Sequence, residues 1–257
     1  MKLGVLGSAG ALSSARRANT SLVLAARSSM LVDCSGNAAQ TLARLGIDWP
    51  ALDHVLLTHR HVDHLSGLPS LVDHISLATR ATGRGPLTVW GPESALEIGC
   101  ELLHTTRVLG RSDLFELRFV VLEPRERTLE LGDLQVTVFP VDHGEVPTLG
   151  LRAAPAGRPE SAVVCSSDTS PCRAVLEHAR GSRLLVHECS SFEVATLPAH
   201  STLAELEQSL SEIGPPETLL VHLPPVPLDA EQAAAARLEA RFGKRVKLAE
   251  DGELREL

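Results

Sequence analysis

Short apolar, β-branched runs alternate along the chain with segments whose apolar residues recur at helical spacing. Residues 2–6, 21–26, 30–33 and 54–58 are predicted strands, each bounded by Gly, Ser or Asp. A helix is predicted over 38–45, closed by Gly46. Leu68, Leu71, Val72 and Ile75 repeat at intervals of three and four, which predicts a further helix, followed by a strand over 87–90 and a helix from Glu93. The middle changes character. Residues 129–131, 135–140 and 149–152 alternate or run apolar around the turn at Gly132-Asp133, as antiparallel hairpins do.

The last third returns to strand and helix in alternation. Residues 162–165 read as a strand, Ser170-Pro171 as the N-cap and first turn of a helix ended by Gly181, and 184–187 as the next strand. Thr202 and Glu205 have the spacing of a capping box ahead of the apolar face Leu203, Leu206, Leu210 and Ile213, which Gly214-Pro215-Pro216 stops. A strand over 218–222, a helix over 229–242 closed by Gly243, and a strand over 246–248 complete the order. With no linker-like stretch, this pattern predicts one α/β domain over residues 1–257. Helices covering both outer faces of two sheets would make it a four-layer αββα sandwich.

Composition narrows the function classes. The chain has 257 residues, 44% hydrophobic and 22% charged, which is ordinary for a folded globular protein and excludes a low-complexity chain. Apolar stretches such as 22–26 run to about five residues against the roughly 20 of a membrane span, so no bilayer crossing is expected. The apolar run at 3–6 is too short for an export signal, and a cytoplasmic location is expected. Lys+Arg 24 against Asp+Glu 32 gives a net charge of −8, and Trp 2, Phe 5 and Tyr 0 leave few rings to stack on bases. Both features argue against an extended RNA-binding surface. Five cysteines, with no CxxC pair, read as reduced core thiols.

The segment Thr58-His59-Arg60-His61-Val62-Asp63-His64 follows a predicted strand. Its pattern HxHxDH would arise by chance in roughly one sequence per thousand of this composition. His59 and His61, two apart on an extended segment, can share one side and grip one cation, while Asp63 and His64 turn towards a second. Later strand ends supply the further ligands that such a centre needs. His143 follows 139–142, Asp168 follows 163–167, and His222 closes 219–221. A carboxylate can bridge two cations, which makes Asp168 the natural shared ligand.

These motifs, in this order, resemble the metallo-β-lactamase superfamily, and the whole chain resembles its ribonuclease Z-like branch. The resemblance extends over 6–10, 31–34, 65–69 and 146–150, His187-Glu188 and His200-Ser201-Thr202. It implies one metal held by His59, His61, His143 and Asp168, and a second held by Asp63, His64, Asp168 and His222. The all-imidazole and carboxylate set suits two zinc ions and admits manganese, iron or cobalt. Asp33 is expected behind the ligands, orienting an imidazole. Glu188 and His200 resemble the family's proton-donating pair, in which the carboxylate holds the imidazole that protonates the leaving oxygen. His187, His54, His74, His104 and His178 are expected to be structural, and Arg16-Arg17 a solvated pair.

The expected chemistry is hydrolysis. Two divalent ions can share a hydroxide at neutral pH, with Asp63 orienting it for in-line attack on a small or cyclic phosphodiester. Alternatives are another ester (aryl sulfate, lactone or thioester) or transfer-RNA 3′ processing. The last is disfavoured because members that process transfer RNA carry a long arm between the third and fourth metal motifs. Here only 24 residues separate His143 from Asp168, and Leu223-Pro224-Pro225-Val226-Pro227 follows His222 where the family has Ser, Arg and Tyr. A homodimer is expected by resemblance alone.

Overall fold

In the computed structural model, which describes residues 1–193, 198–213 and 216–257, the apolar runs become strands buried on both faces. The first half gives β1 (Lys2–Gly7), β2 (Ser21–Ala25), β3 (Ser29–Val32), α1 (Ala38–Arg44), β4 (His54–Leu56), α2 (Val62–Leu65), α3 (Leu68–Thr79), β5 (Leu87–Gly91), α4 (Glu93–Thr105) and β6 (Leu117–Val121). The second gives β7 (Arg127–Leu131), β8 (Leu134–Pro140), β9 (Leu149–Pro155), β10 (Val163–Cys165), α5 (Arg173–Ala179), β11 (Leu184–Glu188), α6 (Leu203–Ile213), β12 (Glu217–Val221), α7 (Leu228–Phe242) and β13 (Val246–Leu248). A last strand, β14 (Leu254–Glu256), returns to pair with β1.

The strands form two seven-stranded sheets, ordered β14-β1-β2-β3-β4-β5-β6 and β13-β12-β11-β10-β9-β8-β7. Each is half parallel and half antiparallel: β3 to β6 run parallel beside antiparallel β14-β1-β2-β3, and β13 to β10 run parallel beside antiparallel β10 to β7. Period-two alternation divides the side chains between layers. Leu22, Leu24, Met30 and Val32 meet Val163, Cys165, Leu184, Val186, Leu219 and Val221 between the sheets. Val23, Leu31 and Val55 face the helical layer of α1, α3 and α4, and Val164, Leu185 and Leu220 face that of α5, α6 and α7. This is the αββα sandwich that the sequence predicts. Strands buried on both faces read as continuous apolar runs because water reaches neither side.

Several boundaries differ from the expectation. β6 and β14, both at sheet edges, lie outside the predicted strands: β14, Leu-Arg-Glu, has no apolar run, whereas β6, Leu-Arg-Phe-Val-Val, has one that the strand pattern above leaves out. Helix α5 begins at Arg173 with Cys172 at its N-cap, not at Ser170-Pro171; the Ser170 amide instead donates to the Asp142 carbonyl, tying the approach to the site. The capping box holds: the Thr202 amide donates to Glu205 Oε2 at 2.8 Å, and the Glu205 amide to Thr202 Oγ1 at 3.3 Å. Of the expected stop after it, Gly214 and Pro215 lie outside the described residues.

Candidate metal centre

Parallel strands place successive C-terminal ends at one edge of a sheet, where loops carry the polar residues. After β4 the chain stays extended through His59 and His61, the latter capping α2 with φ −70° and ψ 144°. Asp63 and His64 then fall in the single turn of α2. The motif is therefore divided by local structure into an extended pair and a helical pair. Gly67 fixes this turn against the loop after β3, since a Cβ there would lie 2.5 Å from the Gly36 carbonyl oxygen and 2.9 Å from that of Cys34.

The extended pair meets two residues of the second half. His61 Nδ1 lies 3.0 Å from His59 Nε2 and 3.3 Å from His143 Nε2, and Asp168 Oδ2 lies 3.6 Å from His59 Nε2. The opposite ring nitrogens are occupied. His143 Nδ1 donates to the Ala199 carbonyl at 2.9 Å, and His59 Nδ1 sits 3.0 Å from Thr58 Oγ1. Burial, above all, holds His59 well below the ordinary histidine range and lowers His61. Neutral imidazoles thus aim lone pairs at one point. A tetrahedral cation with bonds near 2.0–2.1 Å separates its ligand nitrogens by about 3.3 Å, so these residues fit a divalent metal.

Asp63, His64 and His222 form the adjoining group. His64 Nε2 lies 3.3 Å from both Asp63 Oδ2 and Asp168 Oδ2, and His222 Nε2 lies 3.6 Å and 3.2 Å from the same two oxygens. Both nitrogens are buried and, among the described residues, make no aligned hydrogen bond, which suits a cation between them. One oxygen of Asp168, Oδ2, therefore faces both groups. Burial alone would lower His64 and His222, but Asp168, with Asp33 beside His64 and Asp63 beside His222, outweighs it and raises both. Burial likewise opposes ionisation of Asp63 and Asp168; the facing imidazoles overcome it, and both carboxyls lie below their ordinary range.

Behind the ligands stands Asp33. Its Oδ2 accepts from His64 Nδ1 at 2.7 Å and from Thr58 Oγ1 at 2.9 Å, and its Oδ1 from the Thr58 amide at 2.8 Å. Thr58 relays Asp33 to His59, so one carboxylate orients a ligand in each group. At the rim, His200 Nδ1 lies 3.0 Å from Glu188 Oε1, which also accepts from the Thr169 and Ser201 amides. Glu188 is fully buried, and His200 keeps Nε2 free of protein partners among the described residues. His187 is buried with Nδ1 against the Glu188 carbonyl, a structural contact.

Sequence reasoning gave no role to Thr58, Ser190 or the Ala199 carbonyl, because a hydroxyl or carbonyl carries no spacing signal. It also missed the backbone. Asp33, Ser167, Ala199 and His222 adopt φ of 59°, 57°, 61° and 54°. Left-handed conformations in non-glycine residues cost of order 1 kcal/mol or more each and persist where the surroundings impose them. Here each lies at, or beside, a residue of the site.

A family profile, that of anti-Pycsar protein Apyc1, matches residues 1–245. The chain belongs to the Apyc1 family. Ribonuclease Z of Mycobacterium sp. (strain KMS) is 30% identical to it over 98% of this chain and 94% of that one. The metallo-β-lactamase fold protein YhfI from Bacillus subtilis superposes with a TM-score of 0.78 at 22% identity, over 99% of both chains. A diphosphatase from the PhnP family superposes at 0.76 and 21% identity, over 100% of this chain and 97% of its own. This Apyc1-family chain thus has the metallo-β-lactamase fold, in its ribonuclease Z-like branch, and is a metal-dependent hydrolase with a His/Asp cluster suited to a divalent metal.

The surroundings in this Apyc1-family protein also answer smaller expectations. The 24 residues between His143 and Asp168 are taken up by β9, a short turn of helix over 159–161 and β10, leaving no projecting arm. Arg17 is not a solvated residue: it bonds Ser8 Oγ, the Ala249 carbonyl and Glu231, tying the loop after β1 to α7. Among the described residues, His54, His74, His104 and His178 lie outside the groups that could hold a metal, which are the two above and a third of Asp168, His200 and His222. No described helix is long and apolar enough to cross a membrane.

Proposed function

We propose that this protein is a dinuclear metallophosphodiesterase acting on a small or cyclic phosphodiester. The observation that supports it is the shared position of Asp168 Oδ2, within 3.6 Å of His59, His64 and His222 Nε2, between two groups of imidazoles and carboxylates. His59, His61, His143 and Asp168 would hold one cation, and Asp63, His64, Asp168 and His222 the other; zinc suits this nitrogen and oxygen set best. Such ions supply charge neutralisation at a phosphoryl oxygen and lower the pKa of water to near neutrality.

The chain's own residues do the remaining work. Asp63, ionised throughout the working range, accepts a hydrogen bond from the attacking water and aligns it with phosphorus. The water oxygen forms a new P–O bond and loses one proton to solvent as the bond to the leaving oxygen breaks. His200 Nε2 gives its proton to that leaving oxygen, while Glu188 Oε1 holds Nδ1–H and stabilises the protonated ring. A short interval between His143 and Asp168, a net charge of −8 and few aromatic residues favour a small substrate over an extended RNA.

The test is hydrolysis of bis(p-nitrophenyl) phosphate by zinc- or manganese-loaded protein, with and without chelator, beside an aryl sulfate, a lactone and a short RNA. Chelator-sensitive turnover of the phosphodiester is expected. Turnover of the sulfate or lactone with silence on the diester would keep the metal site and overturn the substrate class. Preference for the RNA would favour the processing activity named in the ribonuclease Z relatives.

A further inference from the structure

One hydroxyl lies among three members of the site. Ser190 Oγ is 2.9 Å from Glu188 Oε2, 2.9 Å from His222 Nδ1 and 3.0 Å from His200 Nδ1. It is buried, and its neighbours dictate where its single proton goes. Glu188 Oε2 can only accept, so Ser190 donates there. Its lone pairs then accept from the imidazoles, and among the described residues His222 has no other hydrogen-bond acceptor for Nδ1–H.

We infer that Ser190 is a positioning residue that joins the proton-donating pair to the metal centre: it fixes His222 with Nε2 facing Asp63 and Asp168, and Glu188 with Oε1 facing His200. The arrangement parallels Asp33, which does the same for His64 through Nδ1 at 2.7 Å. Only the acceptor differs, a neutral hydroxyl in place of a carboxylate. Because His222 itself stands in a left-handed conformation with φ 54°, its ring orientation depends on such contacts more than on its own backbone preference. Its main chain is held separately, by the amide bond to Thr20 Oγ1 at 3.0 Å. Losing the hydroxyl would therefore free the ring without releasing the loop.

The inference rests on the dinuclear reading of the site, and the experiment separates the two. Zinc is titrated in competition with a chromophoric chelator into wild-type protein, Ser190→Ala, Ser190→Cys and Ser190→Thr. Wild-type protein should take up two equivalents. Ser190→Ala should weaken one of them by about 10–100-fold and spare the other, as loss of a ligand's outer hydrogen-bond partner typically does. Ser190→Thr, which keeps the hydroxyl, should restore the affinity. Ser190→Cys keeps the shape with a poor acceptor and should behave as Ser190→Ala; it carries the test should the alanine variant not fold. Ser190→Ala should also slow a diester with an alkyl leaving group more than bis(p-nitrophenyl) phosphate, because Glu188 is loosened too. Two equivalents in wild type with unchanged affinities in Ser190→Ala and Ser190→Cys would overturn the role of Ser190 alone, as would equal weakening of both equivalents. No zinc uptake by wild type would overturn the dinuclear reading and this inference with it.

Discussion

A proton and a divalent cation compete for the same nitrogens of His64 and His222. Without a cation, Asp168 together with Asp33 and Asp63 holds both rings above the ordinary histidine range, so binding must displace those protons. Below the raised pKa, each displaced proton lowers the affinity by about tenfold per pH unit, and above it the dependence vanishes. Zinc affinity should accordingly fall as pH falls, with uptake releasing protons that a weakly buffered titration records. A flat affinity between pH 5 and 8 would remove these two rings from the ligand set. His59 and His61, lowered by burial, add less to that slope. Two substitutions test the other roles. Asp168→Ala should bring metal content, read by elemental analysis, well below two equivalents, because Oδ2 serves both groups; full occupancy would exclude it as a ligand. His200→Ala should slow diesters with alkyl leaving groups by about 10²–10⁴-fold and nitrophenyl esters much less, since nitrophenolate needs little protonation. Equal losses would end the general-acid role.

Elements position these residues through their ends. The turn of α2 is pinned by Gly67, whose amide donates to the Cys34 carbonyl at 2.8 Å. A Cβ at 67 meets backbone, not a side chain that can swing away. Gly67→Ala should therefore cost more than the 1 kcal/mol of an ordinary helix-terminal change, and the displaced turn should weaken zinc binding through Asp63 and His64. Urea unfolding beside a zinc titration checks both, and unaltered values would mean the loop after β3 gives way freely. What could be read from the sequence follows the same logic. β1 to β4 and β10 to β12 are legible because burial on both faces leaves apolar runs, and the ligands are legible because they follow such runs. β14 is not, since an edge strand with one wet face needs little apolar sequence. α5 begins two residues later than the Ser170-Pro171 signal because the Ser170 amide is taken by Asp142 across the loop, a contact that local sequence does not record. Ser190 and Thr58 escaped for a related reason: their partners are defined only once β4 lies beside β3 and β12 beside β11.

Across the whole molecule the site lies on the seam between the two sheets. His59, His61, Asp63 and His64 come from the sheet of β1 to β6, and His143, Asp168 and His222 from that of β7 to β13. Each group draws on both: His59 and His61 meet His143 and Asp168, and Asp63 and His64 meet His222. A bound cation would thus brace one half against the other, at a place where buried carboxylates and imidazoles otherwise face each other with two nitrogens lacking aligned partners among the described residues. An unfolded chain, with these residues up to 163 positions apart in sequence, offers no comparable site, so binding energy becomes folding energy. At a free zinc concentration one hundred times the dissociation constant, the gain is about 2.7 kcal/mol, worth roughly 5–10 °C in Tm for a chain of this size. Calorimetric melting with zinc and with chelator should differ by that amount, and Asp168→Ala should show a much smaller difference because it opens both groups at once. A zinc-loaded protein that melts where the chelated protein does would show that the two halves are held by the inter-sheet core of Leu22, Leu24, Val163 and Leu184 alone, with the metal serving chemistry and not the fold.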